Sequence, residues 1–116
     1  MSIHPNLEKM NRILERLGGL YSFEDILTEV EDGKMQSFSE GDSMVVTKVV
    51  HYPRKIVLEI YAAVGTLDEL RILQSTIDAF AREHSCEAVM ASARSGWDGV
   101  KSPGWRMIYS TFMKDL

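Results

Sequence analysis

Apolar side chains spaced by three and four residues predict two helices in the first third of the chain. Such spacing runs over residues 7–17, and Gly18 and Gly19 follow it as a helix stop. A second amphipathic stretch begins with Ser22 and Asp25, which have the N-cap and N3 spacing of a capping box, and ends at Gly33. We therefore expect two consecutive helices before the first strand.

From residue 35 the pattern changes to the alternation of β-branched and aromatic residues that is typical of strands. Strands are predicted over residues 35–39, 44–50 and 56–64, and the turn signals around Gly41 and Pro53 predict an antiparallel meander. In the third strand, alternation predicts one face made by Ile56, Leu58, Ile60, Ala62 and Val64, and a second apolar face made by Val57, Tyr61 and Ala63. Such a strand belongs in the middle of a sheet.

The second half of the chain has the pattern of a crossover unit. An apolar stripe of helical period predicts a helix from residue 67 to about residue 84, and residues 87–94 then form a run short enough for a strand. A right-handed crossover would return that strand parallel to the strand ending at Val64. Residues 105–113 are predicted to form a final strand. The fold class expected for residues 1–116 is thus a single α/β domain with a mixed sheet.

Composition disfavours several classes of function. The 116 residues carry a net charge of −4, with 13 basic and 17 acidic residues intermixed, so no cationic face is expected for nucleic acid. Cys86 is the only cysteine, and the chain shows neither an export signal nor an apolar run of membrane-spanning length, so we expect a soluble cytoplasmic protein. His4, His51 and His84 lack metal-ligand spacing, and no metal is expected.

The order of these elements, together with residues 54–65 before the crossover helix and residues 93–97 and 104–106 after it, resembles the GNAT acetyltransferase fold. The resemblance is to the short form encoded by tailed phages and prophages. It implies two N-terminal helices, an antiparallel meander, a crossover helix to a parallel strand, and a last strand. Enzymes of this family wrap the pyrophosphate of acetyl-CoA in an Arg/Gln-x-x-Gly-x-Gly/Ala loop at the start of the crossover helix, where backbone N–H groups attract anions.

The corresponding junction of this chain departs from that loop. Val64, Gly65 and Thr66 provide one glycine and no cation, and Asp68 and Glu69 place two carboxylates in the first helical turn. Thr66 and Glu69 match a Thr-x-x-Glu capping box, in which each side chain bonds the backbone N–H of the other residue. We therefore expect a helix end that satisfies itself, a degenerate acetyl-CoA site and no bound cofactor.

The catalytic positions implied by the resemblance are also altered. The family often uses a tyrosine, four residues before a Gly-aromatic pair, as a general acid, and Val100 stands there in this chain. Tyr109 is a candidate replacement if it faces the cleft, with packing or a surface hydroxyl as the alternative. Glu59 is the nearest candidate for the family's general base, with a salt bridge to Lys48 or Lys55 as the alternative.

Two other groups of residues could carry chemistry or recognition. His84 and Cys86 suggest a base and a nucleophile, but a buried thiol and a histidine at a helix end explain the same pair. A segment rich in glycine, serine and proline carries two tryptophans and three cations, which are candidates for binding a partner: Arg94, Trp97, Lys101, Trp105 and Arg106. The alternative is that both tryptophans fill the core and the cations are solvated.

These observations favour a GNAT-like protein with a degenerate acetyl-CoA site that is non-catalytic and acts in binding or assembly. Its partner would be another protein or a second copy, and the resemblance places it in the host cytoplasm or on a phage particle. The alternative is an active acetyl-CoA-dependent N-acetyltransferase with an atypical pyrophosphate loop, for which acetyl-CoA would be the cofactor. A third hypothesis is a regulatory module with a small ligand at the strand ends.

Overall fold

The computed structural model describes residues 6–92, 104–109 and 111–116. Its elements in chain order are α1 (Leu7–Arg16), α2 (Phe23–Glu31), β1 (Gln36–Glu40), β2 (Ser43–His51), β3 (Ile56–Val64), α3 (Leu67–Glu83) and β4 (Ala88–Ala91). All seven elements were predicted, with boundaries within one or two residues except at the end of β4. Residues 93 and 94, the predicted end of β4, lie outside the described ranges.

The strands form one mixed sheet in the order β1-β2-β3-β4. The first three pair antiparallel, and β4 pairs parallel to β3 with Val57 opposite Ala88. The meander, the central position of β3 and the parallel return of the chain are therefore confirmed, as is the mixed α/β class. No described helix is long and apolar enough to cross a membrane.

Helices cover both faces of this sheet. On the α1–α2 face the buried core consists of Met10, Leu14, Ile26, Met35, Met44, Val46, Tyr61, Ala62 and Val64. On the α3 face it consists of Val45, Leu58, Leu73, Ile77 and Ala81. Because β2 and β3 contribute to both clusters, the central strands are apolar on both faces, as the sequence predicted for β3.

A β-bulge interrupts the pairing of β2 with β3. Val46 lies opposite Ala62, but the next residue, Thr47, lies opposite Ile60. Tyr61 is therefore an extra residue in β3 without a register partner in β2. One extra residue reverses the inside and outside positions of everything that follows it in the strand.

The bulge corrects the predicted faces of β3. Leu58 and Ile60 pack on the α3 face, whereas Ala62 and Val64 pack on the α1–α2 face, and Ala63 turns to the α3 face. The prediction of one face from Ile56 to Val64 is therefore wrong beyond the bulge, since strict alternation assumes an uninterrupted ladder.

The predicted final strand is absent from the described C-terminal residues. Residues 105–109 and 111–116 have no strand structure, and their side chains are largely exposed, with Met107 at 76% and Phe112 at 91%. A strand is stabilised by ladder hydrogen bonds and by a covered apolar face, and this segment has neither in the part of the chain described. The alternation of residues 105–113 was therefore not sufficient by itself to place this segment in the sheet.

The start of α2 has the predicted capping box. The Ser22 N–H donates to Asp25 Oδ2 at 2.9 Å, and the Asp25 N–H donates to Ser22 Oγ at 3.1 Å. These bonds hold the pKa of the Asp25 carboxyl below its ordinary value, the backbone bond having the larger effect. Both partners are local in sequence, which explains why this cap was predictable.

Candidate functional site

The junction of β3 and α3 is where the resemblance implies a cofactor. Thr66 is the N-cap of α3, in an extended conformation with φ −85° and ψ 152°. The Glu69 N–H donates to Thr66 Oγ1 at 3.3 Å, so this half of the predicted capping box is confirmed. The helix begins because the threonine hydroxyl satisfies one of the N–H groups that have no partner inside the helix.

The other half of the predicted capping box, a bond from the Thr66 N–H to the Glu69 carboxylate, is wrong, because the Ser43 hydroxyl lies between these two groups. The Thr66 N–H donates to Ser43 Oγ at 3.0 Å rather than to the Glu69 carboxylate. Ser43 Oγ in turn donates to Glu69 Oε1 at 2.7 Å, and Thr66 Oγ1 donates to the same oxygen at 3.2 Å. One carboxylate oxygen therefore accepts two hydroxyl hydrogen bonds at the start of α3.

Ser43 reaches this position through the sheet. It is the first residue of β2, and its neighbour Met44 pairs with Val64 at the end of β3. Its side chain is completely buried, at 0% exposure, and a buried hydroxyl requires partners for its donor and its acceptor. Sequence reasoning missed Ser43, because its distance of more than twenty residues from Thr66 is closed only by strand pairing.

The turn between β1 and β2 closes tightly over the junction. A Cβ added to Gly65 would lie 2.7 Å from Ser43 Cα and overlap the serine side chain. A Cβ added to Gly41 would lie 2.8 Å from Glu69 Cδ and overlap the carboxylate. The Asn6 side chain donates to the Asp42 carbonyl and ties the start of α1 to the same turn.

The charges at this junction are unfavourable for a second anion. The positive end of the α3 dipole attracts negative charge, and Asp68 and Glu69 already supply it from the first turn. Glu69 also has two hydroxyl donors, so an internal carboxylate is bound where a helix N-terminus would otherwise hold a phosphate. We call Ser43, Thr66 and Glu69 the capping triad.

Glu59 lies on the α1–α2 face of β3, directly opposite Lys48 in β2 and Met90 in β4. Within the described residues it forms no ion pair with Lys48 or Lys55, so the salt bridge weighed as the alternative is not formed. The Lys48 ammonium instead lies 5.4 Å from the centroid of the Tyr61 ring, in cation–π geometry. Glu59 is half-buried beside these two residues.

Tyr61, the bulged residue, is a feature that sequence reasoning missed. Its side chain is 7% exposed, and its buried hydroxyl has no hydrogen-bond partner in the described part of the chain. The Tyr21 ring packs edge-on against it, with centroids 5.1 Å apart. Burial raises the pKa of the Tyr61 hydroxyl, and Tyr21 and Glu59 raise it further. The sequence identified Tyr61 only as one apolar residue of a buried strand.

The remaining candidate residues do not converge on one catalytic centre. Tyr109 is mostly exposed and lines a cavity with Met90, the strand neighbour of Glu59. Trp105 is half-buried and Arg106 is exposed. The other members of the predicted recognition segment, Arg94, Trp97 and Lys101, and the altered position Val100, lie outside the described residues.

His84 and Cys86 do not form a catalytic pair. His84 Nδ1 lies 2.9 Å from the Phe80 carbonyl, and its ring stacks on Phe80 with centroids 4.0 Å apart. The Cys86 thiol lies 4.0 Å from the backbone carbonyl of His84 and packs against the α3-face core, and burial raises its pKa. In the described ranges no three His, Cys, Asp or Glu side chains are placed to hold a metal ion.

Sequence comparisons do not place the chain in a family. No family model matches the sequence, and no curated protein matches it significantly. At this level only the architecture can be compared with known proteins.

Solved structures share that architecture over nearly the whole chain. An aminoglycoside acetyltransferase from an uncultured soil metagenomic sample matches with a TM-score of 0.67 and 14% identity, covering 97% of this chain and 89% of that one. An acetyltransferase from Trypanosoma brucei matches with a TM-score of 0.63 and 12% identity, covering 99% of this chain and 96% of that one. A ribosomal-protein-alanine N-acetyltransferase from Brucella melitensis biovar Abortus 2308 matches with a TM-score of 0.61 and 11% identity, covering 96% of this chain and 94% of that one. The chain therefore has a GNAT-like acetyltransferase fold.

Proposed function

We propose that this protein has a GNAT-like fold with a degenerate acetyl-CoA site, is non-catalytic, and acts as a binding or assembly protein. The observation that carries the proposal is the capping triad. The carboxylate of Glu69 occupies the N-terminus of α3 and accepts hydrogen bonds from the hydroxyls of Ser43 and Thr66. The backbone N–H of Thr66 is already bonded to Ser43, so it is not free to bind a ligand.

The negative charge of Glu69 is expected to weaken binding of a pyrophosphate at the start of α3. Two like unit charges about 4 Å apart repel by roughly 1 kcal/mol in bulk water and roughly 4 kcal/mol at an effective dielectric constant of about 20. Depending on exposure, a pyrophosphate at this helix end would thus lose roughly fivefold to a thousandfold in affinity. Glu69 is half-buried, which places it between these limits.

Assembly is proposed to proceed through self-association or a protein partner. Large apolar side chains of the C-terminal residues are exposed to solvent, namely Met107, Ile108, Tyr109, Phe112, Met113 and Leu116. Exposed apolar side chains mark protein interfaces where they form a contiguous patch. The resemblance to short phage-encoded proteins supports association with a phage particle as the specific form of the proposal.

The competing function is an active acetyl-CoA-dependent N-acetyltransferase with an atypical pyrophosphate loop. It is supported by the likeness in fold to acetyltransferases, which covers nearly the whole chain. Glu59 and the buried Tyr61 hydroxyl, which lie close together on the α1–α2 face, would be its candidate acid–base groups.

Ligand-induced thermal stabilisation separates the two functions. A site with a dissociation constant of about 10 µM gains about 2.7 kcal/mol from 1 mM ligand. We expect 1 mM acetyl-CoA or CoA to leave the melting temperature of the wild-type protein unchanged. A stabilisation of several degrees would contradict the proposal and favour the enzyme.

A substitution in the triad tests the reason for the expected result. Glu69→Gln keeps the size of the side chain and removes its charge, so CoA should bind this variant more tightly than the wild type. Glu83→Gln, at the exposed far end of α3, makes the same change in net charge and should have no effect. If both variants behave alike, the Glu69 carboxylate is not what excludes the cofactor.

A further inference from the structure

The cavity lined by Tyr109 and Met90 lies about one strand length away from the capping triad. It has a volume of about 320 Å³ and lies where β3 begins. Val57 and Met90, from the neighbouring strands β3 and β4, contribute apolar surface on the α1–α2 face. Tyr52, Ile108 and Tyr109 add two aromatic rings and an aliphatic side chain.

Two cations complete the lining of this cavity. Arg54 and Lys55 lie on the turn between β2 and β3 and are exposed to solvent. Neither forms an ion pair with another described residue. In a protein with a net charge of −4, these two adjacent cations concentrate positive charge at one end of the apolar cavity, while the carboxylate of Glu59 lies on the same face beside Met90.

The turn orders the backbone that carries these cations. The Tyr52 N–H donates to the Lys55 carbonyl at 2.9 Å and closes the turn. Pro53 fixes its own φ and restricts the backbone of the residue before it. The backbone that carries Arg54 is therefore positioned before any ligand arrives, which lowers the entropy lost on binding.

We propose that this cavity binds a small amphiphilic anion. The anionic head would lie against Arg54 and Lys55, and a short aliphatic or aromatic body would cover Val57 and Met90. An uncharged ligand would gain no electrostatic attraction from either cation, and a cationic ligand would be repelled. The volume of about 320 Å³ is at the lower end of the roughly 300–1,000 Å³ typical of small-molecule sites, so we expect a small ligand.

This site is separate from the junction on which the proposed function depends. From Val57 to Gly65 the chain advances eight residues, or roughly 26 Å at about 3.3 Å per residue. A ligand here would not meet the capping triad. The two proposals can therefore fail independently, since CoA tests the junction and a fatty carboxylate tests the cavity.

Calorimetric titration with octanoate tests the proposal, with 1-octanol and acetate as probes that lack the charge and the body, respectively. We expect saturable binding of octanoate, at least about tenfold tighter than either control probe. The double variant Arg54→Gln/Lys55→Gln should weaken octanoate binding by roughly tenfold, since each exposed charge pair contributes at most about a fivefold factor. Tyr109→Ala should also weaken it, through loss of apolar contact.

A matched control separates local contact from net charge. Arg71→Gln/Arg82→Gln removes two exposed cations from α3 and should leave octanoate binding unchanged. Equal binding of octanol and octanoate would overturn the proposal, as would an unchanged affinity in the Arg54/Lys55 variant. An equal loss in both double variants would overturn it too, because the attraction would then come from the whole protein. The proposal would also be overturned if octanoate showed no saturable binding at millimolar concentration.

Discussion

Ser43 and Tyr61 both carry a buried hydroxyl, but only that of Ser43 forms hydrogen bonds within the described residues. The Ser43 hydroxyl has both a donor and an acceptor partner, in Thr66 and Glu69. The Tyr61 hydroxyl has no partner among the described residues. A buried polar group without a hydrogen bond lowers stability by about 1–3 kcal/mol, so the two residues should respond differently to removal of their oxygen.

Removal of the Tyr61 hydroxyl is expected to stabilise the protein. Tyr61→Phe keeps the ring contact with Tyr21 and deletes an unpartnered buried oxygen, so the free energy of unfolding should rise by about 1 kcal/mol. Urea unfolding at pH 7 measures this change. Tyr52→Phe, with its side chain 45% exposed, is the matched control and should change little. A clear loss of stability in Tyr61→Phe would mean that the hydroxyl has a partner in solution.

Tyr61 should also make the stability of the protein depend on pH in the alkaline range. The pKa of Tyr61 is raised in the folded state above its ordinary value of 10.0, because burial disfavours the phenolate. Because the folded state holds this proton more tightly than the unfolded state, ionisation of Tyr61 leaves the free energy of unfolding unchanged below pH 10.0 and lowers it as pH rises from there towards the folded pKa. Unfolding curves between pH 9 and 11 should show a steeper loss for the wild type than for Tyr61→Phe. Parallel curves would contradict the assignment.

At the scale of elements, the caps of α2 and α3 differ in where their partners come from. The cap of α2 uses Ser22 and Asp25, which are three residues apart. The cap of α3 uses Thr66 and Glu69 at the same spacing but completes its hydrogen bonds through Ser43 of another strand. The start of α3 is thereby coupled to the sheet, and a change at the beginning of β2 should also affect the helix.

Gly65 is the position where this coupling can be tested. It has φ +139°, and an added Cβ would clash with the Ser43 backbone, which cannot move without breaking the pairing of β2 with β3. Gly65→Ala should lower the free energy of unfolding by about 2–4 kcal/mol through strain and overpacking. Chemical denaturation gives the value.

Gly33→Ala is the matched control for backbone strain alone. Gly33 also has a positive φ, of +74°, but an added Cβ would meet no atom within 4 Å. Its expected loss is about 1–2 kcal/mol, the cost of a left-handed conformation for a residue with a Cβ. Equal losses at both positions would show that contact with Ser43 is not important.

At the scale of the whole molecule, the C-terminal residues are the part that the sheet does not use. Residues 111–116 are exposed and have no strand structure, although the segment 105–113 has a strand-like sequence. Removing residues 111–116 should change the free energy of unfolding by no more than about 0.5 kcal/mol, the range found for substitutions at exposed positions. A loss of several kcal/mol would mean that this segment pairs with the sheet in solution.

The same segment bears on assembly. If its exposed apolar side chains mediate self-association, the solution mass of the full chain should exceed that of a monomer as concentration rises. The double variant Phe112→Ser/Met113→Ser should then shift the mass towards the monomer. Leu67→Ser removes an apolar side chain of similar exposure at the start of α3 and should leave the mass unchanged. A full chain that stays monomeric would contradict assembly by self-association.

The sequence alone determined the features that depend on near neighbours. The helical periods, the cap at Ser22 and Asp25, the Thr66 hydroxyl bond and the apolar character of β3 all involve residues at most a few positions apart. Local geometry and binary pattern fix these contacts, so they can be predicted without knowledge of the fold. The resemblance in element order then supplied the GNAT-like architecture.

Only the tertiary structure decided what depends on strand pairing. The bulge at Tyr61 arises from the register of β2 against β3, and it moved Ala62 and Val64 to the opposite face. Ser43 entered the cap of α3 because the beginning of β2 pairs with the end of β3. The strand-like sequence after Trp105 stayed outside the sheet in the described residues. Register and ladder partners are long-range properties, so the alternation of one segment cannot specify them.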